Sequence, residues 1–227
     1  MKTSFWNAEI ELDEHELILF EQLMSLFMAK NAEMNLSAIR DPDEIMLKHF
    51  IDSIYLNVFV ELEWKVLDLW TWGWFPLLPL AITNPKVKFL WIDSVWKKVK
   101  AVNGFIKELW LTNAFAMQER AETLGQDPKH REQYDFLVSR ATAFLPTLLE
   151  YAIPLLKVWG TFIAYKLDDK QEIKSAKKAM SNLSCKIEVI KNYTIWEQKR
   201  TFVFITKQAA TQKKYPRSVW VPASKPL

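Results

Sequence analysis

Leu19, Phe20, Leu23, Leu26 and Phe27 recur at helical spacing, so residues 16–29 predict an amphipathic helix. A polar connection follows over residues 31–40. Asp41-Pro42-Asp43-Glu44 then marks a second helix start, with an aspartate able to cap, a proline suited to the first turn and a glutamate three residues after the cap. The pattern carries that helix to about residue 57. Beyond it, short apolar runs alternate with helical stretches. Strands are predicted at 65–69, 87–92, 114–117, 136–139 and 161–166, with helices near 76–82, 94–109, 119–124 and 144–156 between them. Two further strands, 186–191 and 200–206, stand too close together for a helical crossover and should pair antiparallel. Alternating strand and helix implies an α/β fold: a mostly parallel seven-stranded, Rossmann-like sheet with its last strand antiparallel, preceded by an N-terminal helical extension. The expected division is residues 1–60 for the extension, 61–207 for the sheet domain and 208–227 for a basic tail.

Composition narrows the class. Half of the 227 residues are hydrophobic, enough for one good-sized core. No apolar run is long enough to span a membrane, and the acidic N-terminus has no secretory core. The single cysteine, Cys185, fits a reducing cytoplasm. Net charge is only +3. Residues 207–227, however, hold Lys207, Lys213, Lys214, Arg217 and Lys225 and no acid, so they read either as a phosphate-binding tail or as a frayed, solvated end.

The informative stretch is Val66-Leu67-Asp68-Leu69-Trp70-Thr71-Trp72-Gly73-Trp74-Phe75-Pro76. It reads as a buried strand, a tight turn and a helix start, the place where an open α/β sheet binds a nucleotide-like ligand. Here the chain resembles the RsmG (GidB) family, whose members carry Asp-hydrophobic-Gly-Ser/Thr-Gly-x-Gly-Phe/Leu-Pro at this place. The resemblance continues in order through Asn35–Pro42, His49-Phe50-Ile51-Asp52-Ser53, Asp93-Ser94-Val95-Trp96-Lys97-Lys98, Arg120-Ala121-Glu122, Ser139-Arg140-Ala141 and Tyr215-Pro216-Arg217. It spans about residues 16–227.

The resemblance implies a class I methyltransferase that uses S-adenosyl-L-methionine to methylate N7 of a guanine in 16S ribosomal RNA. It also implies the site. Trp70 and Phe75 line the cofactor, Asp93 offers a carboxylate to the ribose, and Ala121 and Glu122 meet the adenine. Arg140 sits beside cofactor and guanine as the candidate catalytic residue. Asp68 is expected to organise the amides of the turn. Each has a plainer alternative: Asp93 as a helix cap, Arg140 as a structural ion pair, Glu122 as a solvated helix charge. His49 reads as structural or RNA-facing rather than as a base. Arg40, Lys97, Lys98, Lys213, Lys214 and Arg217 are candidates for phosphate contacts, with a solvated helix face as the alternative for Lys97 and Lys98. The expected partner is 16S rRNA or a small-subunit assembly intermediate, with no metal, no membrane and a monomeric state.

One feature conflicts with this picture. The chain has 4 glycines and 11 tryptophans, and about 2% glycine is far below the usual ~7%. Trp70, Trp72, Trp74, Trp96 and Trp159 stand where the family has glycine. Trp110, Trp196 and Trp220 read the same way, while Trp6, Trp64 and Trp91 are open. Taken as written, the turn would be strained and its indoles would fill the cofactor's space. The selectivity for glycine positions suggests a gene in which UGA encodes glycine, translated here as tryptophan. If the tryptophans are real, a non-catalytic rRNA-binding protein on the same fold becomes the alternative. A nicotinamide-dependent oxidoreductase is disfavoured, because restored glycines still leave none at the third Gly-x-Gly-x-x-Gly position.

Overall fold

The computed structural model describes residues 5, 8, 10–69, 75–140, 143–167, 170–195 and 197–227. Its seven strands are β1 Lys65–Leu69, β2 Lys88–Asp93, β3 Ala114–Gln118, β4 Tyr134–Arg140, β5 Leu156–Lys166, β6 Cys185–Ile195 and β7 Gln198–Lys207. They form one sheet in the order β3-β2-β1-β4-β5-β7-β6. The first five are parallel, and β7 runs antiparallel between β5 and β6. This is the predicted class I methyltransferase sheet, with its last strand reversed. Val66, Leu67 and Leu69 of β1 are all buried, as a parallel strand covered on both faces requires. The chain steps outward from β1 to β3 and then returns to β4. The order therefore reverses between β1 and β4, and a ligand crevice belongs at their carboxyl ends.

Two apolar cores flank the sheet. One joins Phe20, Leu23, Phe27 and Phe50 of the extension to Leu77 and Phe105. The other is built on Leu145, Leu148, Leu149, Ala179 and Leu183. The long helix of the extension spans Glu14–Met34 and starts at a reciprocal cap. Asp13 accepts from the Glu16 N–H at 2.7 Å, and Glu16 returns a bond to the Asp13 N–H at 2.9 Å.

The second helix departs from the expected regular run to residue 57. Asp41 caps it, accepting from the Glu44 N–H at 2.9 Å, but only Pro42–Ile45 is α-helical before a π-helix over Met46–Ile51. The cause is a competing donor. Arg140 donates to the Lys48 carbonyl, and the Asp52 N–H then reaches past it to the Leu47 carbonyl. Such one-turn π segments concentrate at functional sites.

Two short helices, Lys170–Ser175 and Lys177–Leu183, were not predicted. Ile173, Ala176, Ala179, Met180 and Leu183 do carry the helical spacing, but alanines make a faint stripe. The tail packs onto the domain. The Arg131 guanidinium donates to the carbonyls of Gly125, Thr211 and Tyr215 at 2.7 Å and of Gln212 at 3.2 Å. Among the described residues, no helix is long and apolar enough to cross a membrane.

Candidate functional site at the carboxyl ends of the strands

Asp68 is fully buried at the end of β1, and its Oδ2 accepts from the Leu77 N–H at 3.0 Å. That bond ties the strand directly to the start of the helix Leu77–Thr83. Oδ1 meets no donor among the described residues. Burial pushes the carboxyl well above its ordinary pKa, against the pull of the Leu77 N–H and of Arg140. Trp70, Trp72 and Trp74 lie outside the described residues.

Phe75, expected to line the cofactor, is buried among aromatic rings of the extension. It stacks on His49 at 4.7 Å and meets Phe27 edge-on at 5.3 Å. The ring thus braces the end of the turn against the N-terminal helices. His49 Nε2 lies 3.0 Å from the Ser37 hydroxyl. Burial first, and the Arg140 charge second, push its pKa down to about 3. The imidazole is therefore neutral at pH 7, and its low proton affinity makes it a poor general base.

The lowered His49 value has a stability consequence. The unfolded chain takes up this proton near pH 6.5, while the folded state resists until about pH 3. Stability should fall as pH drops through that window. Denaturant titrations from pH 7 to 4 are expected to show a shallower decline in His49→Phe, and an unchanged slope would remove His49 from the account.

At the carboxyl end of β2, Asp93 is buried. Its Oδ1 accepts from the Val95 N–H at 2.8 Å and its Oδ2 from Lys98 Nζ at 3.3 Å. The following helix, Trp96–Glu108, starts at Val95 with no side-chain cap, so Asp93 does not cap it as the plainer reading expected; its carboxylate lines a small cavity with Ala121, Glu122, Tyr151 and Trp220. Glu122 is not a solvated charge: it is buried, and Oε1 accepts from the Trp220 N–H at 3.1 Å. The cavity measures about 20 Å³, room for about one water. Trp220 forms one wall, its indole lying 4.2 Å from the Arg120 guanidinium.

Arg140 closes β4. Its Nη2 lies 2.9 Å from Asp52 Oδ2, and Nη1 donates to Ser53 Oγ at 3.4 Å, besides the bond to the Lys48 carbonyl. The structural ion pair is thus present, and it fastens the extension to the site. Asp52 is buried and also accepts from the Tyr193 hydroxyl at 3.0 Å, with Arg200 Nε at 3.7 Å. Asp52, Tyr193 and Arg200 were missed as site residues. The Asp52-Ser53 pair inside the quoted motif was the available signal.

The basic candidates divide. Arg40, Lys97, Lys213 and Lys214 are exposed. Lys98 is tied to Asp93. Arg217, expected among the phosphate contacts, has a structural partner: its Nε and Nη2 hold the buried Glu150 carboxylate at 2.6–3.1 Å. A carboxylate sunk in the helix Leu145–Ala152 needs that partner.

The tryptophans are instructive. Among the described residues, seven non-glycine residues have positive φ, and four are Trp64 (55°), Trp110 (54°), Trp159 (72°) and Trp220 (70°). Their exposure runs from 60% for Trp220 to 87% for Trp110. A bulky side chain in the left-handed region is strained, whereas glycine is at home there. Trp91 is the opposite case, fully buried within β2.

Comparisons agree with this geometry. The family profile described as rRNA small subunit methyltransferase G matches residues 16–202. A Ribosomal RNA small subunit methyltransferase G from Deinococcus radiodurans is 39% identical over 92% of this chain and 84% of its own length. One from Desulforamulus reducens is 38% identical over 100% and 97%. Among solved structures, a SAM-dependent methyltransferase from Aquifex aeolicus superposes with a TM-score of 0.56 at 17% identity, covering 79% of this chain and 98% of that one. M. jannaschii TYW2 in complex with AdoMet gives 0.54 at 15% identity, over 70% and 76%. These two show the shared fold.

Proposed function

The chain belongs to the rRNA small subunit methyltransferase G family, and we propose from that premise that it methylates N7 of a guanine in 16S ribosomal RNA, using S-adenosylmethionine. The observation that carries the reading is the buried Asp93 carboxylate, facing Ala121 and Glu122 across one cavity beside the switch point. The donor set suits a sulfonium nucleoside. Asp93 offers acceptors to ribose hydroxyls, Ala121 and Glu122 offer a wall to adenine, and the turn anchored by Asp68 is left for the methionine end. Space is what the cavity lacks, and the Trp220 indole is one of the walls that limit it.

When bound, the cofactor would supply a methyl group on positive sulfur, which the N7 lone pair would take while the S–C bonding pair stayed on sulfur and the positive charge passed to the purine. No proton moves, so no general base is required, in keeping with the weak basicity that burial imposes on His49. The chain's work is to align the two reactants and to stabilise charge. An A-form helix hides N7 in its narrow groove, so the target base must be unstacked. Exposed Arg40, Lys97, Lys213 and Lys214 are the cations left to meet phosphates. The substrate, 16S rRNA or an assembling small subunit, places the enzyme in the cytoplasm, and we take it to act as a monomer.

The test uses this chain and a version with glycine at 70, 72, 74 and 220. The glycine version is expected to bind S-adenosylhomocysteine by calorimetry at least a hundredfold more tightly, and to produce 7-methylguanosine in nuclease digests of 16S rRNA. If both proteins bind rRNA and neither transfers methyl, the non-catalytic reading replaces this one.

A further inference from the structure

Beside Arg140 lies a larger cavity, of about 530 Å³, between the π-helix and the tip of the β6–β7 hairpin. Leu47, Lys48 and Asp52 line it from the helix side, and Ile195, Glu197 and Arg200 from the hairpin. The sheet topology fixes which edge it occupies. Arg140 pairs with Tyr165, Tyr165 with Phe202, and Lys166 with Thr201. The hairpin tip, just before Thr201 in β7, therefore projects past the carboxyl end of β5. That is the edge on which β1, β2 and β4 present Asp68, Asp93 and Arg140. Asp52 belongs to this cavity and to the Arg140 ion pair alike, so a single buried pair separates the cavity from the end of β4.

Its chemistry suits one kind of base. Leu47 and Ile195 supply apolar surface for a ring. Of the three carboxylates that line it among the described residues, Glu44 is taken by Lys48 at 2.5 Å and Asp52 by Arg140 at 2.9 Å. Glu197 has no ion-pair partner among the described residues. Guanine carries two adjacent donors, N1–H and N2–H2, on its Watson–Crick edge, and a carboxylate offers two acceptors side by side. Adenine and cytosine place an acceptor next to a donor there, and uracil a single donor between acceptors. Flipped bases are read on this edge, and with N7 turned toward the cofactor the Watson–Crick edge faces the other way.

We propose that this cavity is the acceptor subsite and that the Glu197 carboxylate receives the N1–H and N2–H2 of the target guanine. The assignment rests on the methyltransferase reading and deepens it. It also gives Glu197 a second effect. The base becomes a cation as methyl arrives, and a carboxylate held at its N1–H edge stabilises that charge. Glu197 is thus a specificity determinant that also favours the transition state over the neutral base.

Guanosine 5′-monophosphate and its 7-methyl derivative provide the probe, titrated into the protein by calorimetry. The methylated, cationic nucleotide is expected to bind at least fivefold more tightly, and Glu197→Gln to abolish the difference without shifting the melting temperature. In a second arm, the more active of the two proteins tested above acts on 16S rRNA carrying inosine, which lacks the N2 amine, at the mapped position. Inosine should slow transfer about tenfold or more, and the Glu197→Gln enzyme should no longer distinguish the bases. A residue that merely shapes the hairpin would move neither preference. Equal binding of the two nucleotides, or preferences that survive Glu197→Gln, overturns the assignment. The titration requires no methyl transfer, so the subsite and the parent reading fail separately.

Discussion

Trp91→Gly is expected to unfold the protein, whereas glycine in place of Trp64, Trp110, Trp159 and Trp220 together is expected to stabilise it. Trp91 is fully buried in β2, between β1 and β3. Truncating a core tryptophan to alanine costs roughly 3–5 kcal/mol, and glycine within a strand adds about 0.5–1 kcal/mol. That sum approaches the whole stability of an ordinary domain. The other four present the reverse balance. Each has φ between 54° and 72°, where an L-residue pays roughly 1–2 kcal/mol. Each is mostly exposed, so little packing is lost on truncation. Glycine relieves the strain at a cost of about 0.5–1 kcal/mol in unfolded-chain entropy. The quadruple variant should move the guanidinium midpoint upward, and a substantial downward shift would show that these indoles belong where they stand. The same φ values set an expectation for the gene: UGA at 64, 110, 159 and 220, as at 70, 72 and 74, and UGG at 91. UGG at 70, 72 and 74 would end the recoding idea and leave a chain with an obstructed turn.

Arg140→Ala is expected to lower stability by about 3–5 kcal/mol and methyl transfer by at least a hundredfold. Removing the guanidinium leaves Asp52 buried, with a tyrosine hydroxyl and an arginine 3.7 Å away as its remaining partners. It also frees the Lys48 carbonyl, whose capture by Arg140 accompanies the π-helix. The helix wall beside the end of β4 would then relax toward regular α-geometry and shift its lining residues by part of a turn. Adding Asp52→Asn should recover much of the stability, because the uncompensated charge is gone, while transfer stays low. Denaturant unfolding and initial rates separate the two effects. Full recovery of transfer in the double variant would reduce Arg140 to a neutraliser of Asp52.

The periodicity of the chain went a long way. Every strand was located by an apolar run, but β5 and β6 extend to 11 residues each, well past the predicted 161–166 and 186–191, because exposed positions interrupt the rest of each; the reversal of the last followed from the few residues before it. Residues 170–183 escaped because Ala176 and Ala179 hardly mark a buried face. The π-helix could not be read locally, since its cause is an arginine 92 positions away. At the site, Asp68, Asp93, Ala121, Glu122 and Arg140 were visible through motif order. What the residues could not reveal was the allocation of partners: Arg217 pairs with the buried Glu150, and the Glu122 carboxylate accepts from the backbone of residue 220. Asp52, which lines the larger cavity and pairs with Arg140, looked like one more polar residue in a helix.

The strand order carries a cost during synthesis. β7 lies between β5 and β6 yet is the last of the three to be made. While residues 185–197 are emerging, β5 has no neighbour on one side, and its buried Phe162, Ile163 and Ala164 sit on an incomplete sheet. β6 must meanwhile wait for a partner that has not yet been translated. For that interval the nascent chain offers two unsatisfied edges to any other strand in reach, the condition under which intermolecular pairing starts. Anything that stalls elongation before Lys207, such as a rare or misread codon at position 196, would hold the polypeptide in that sticky, half-built state.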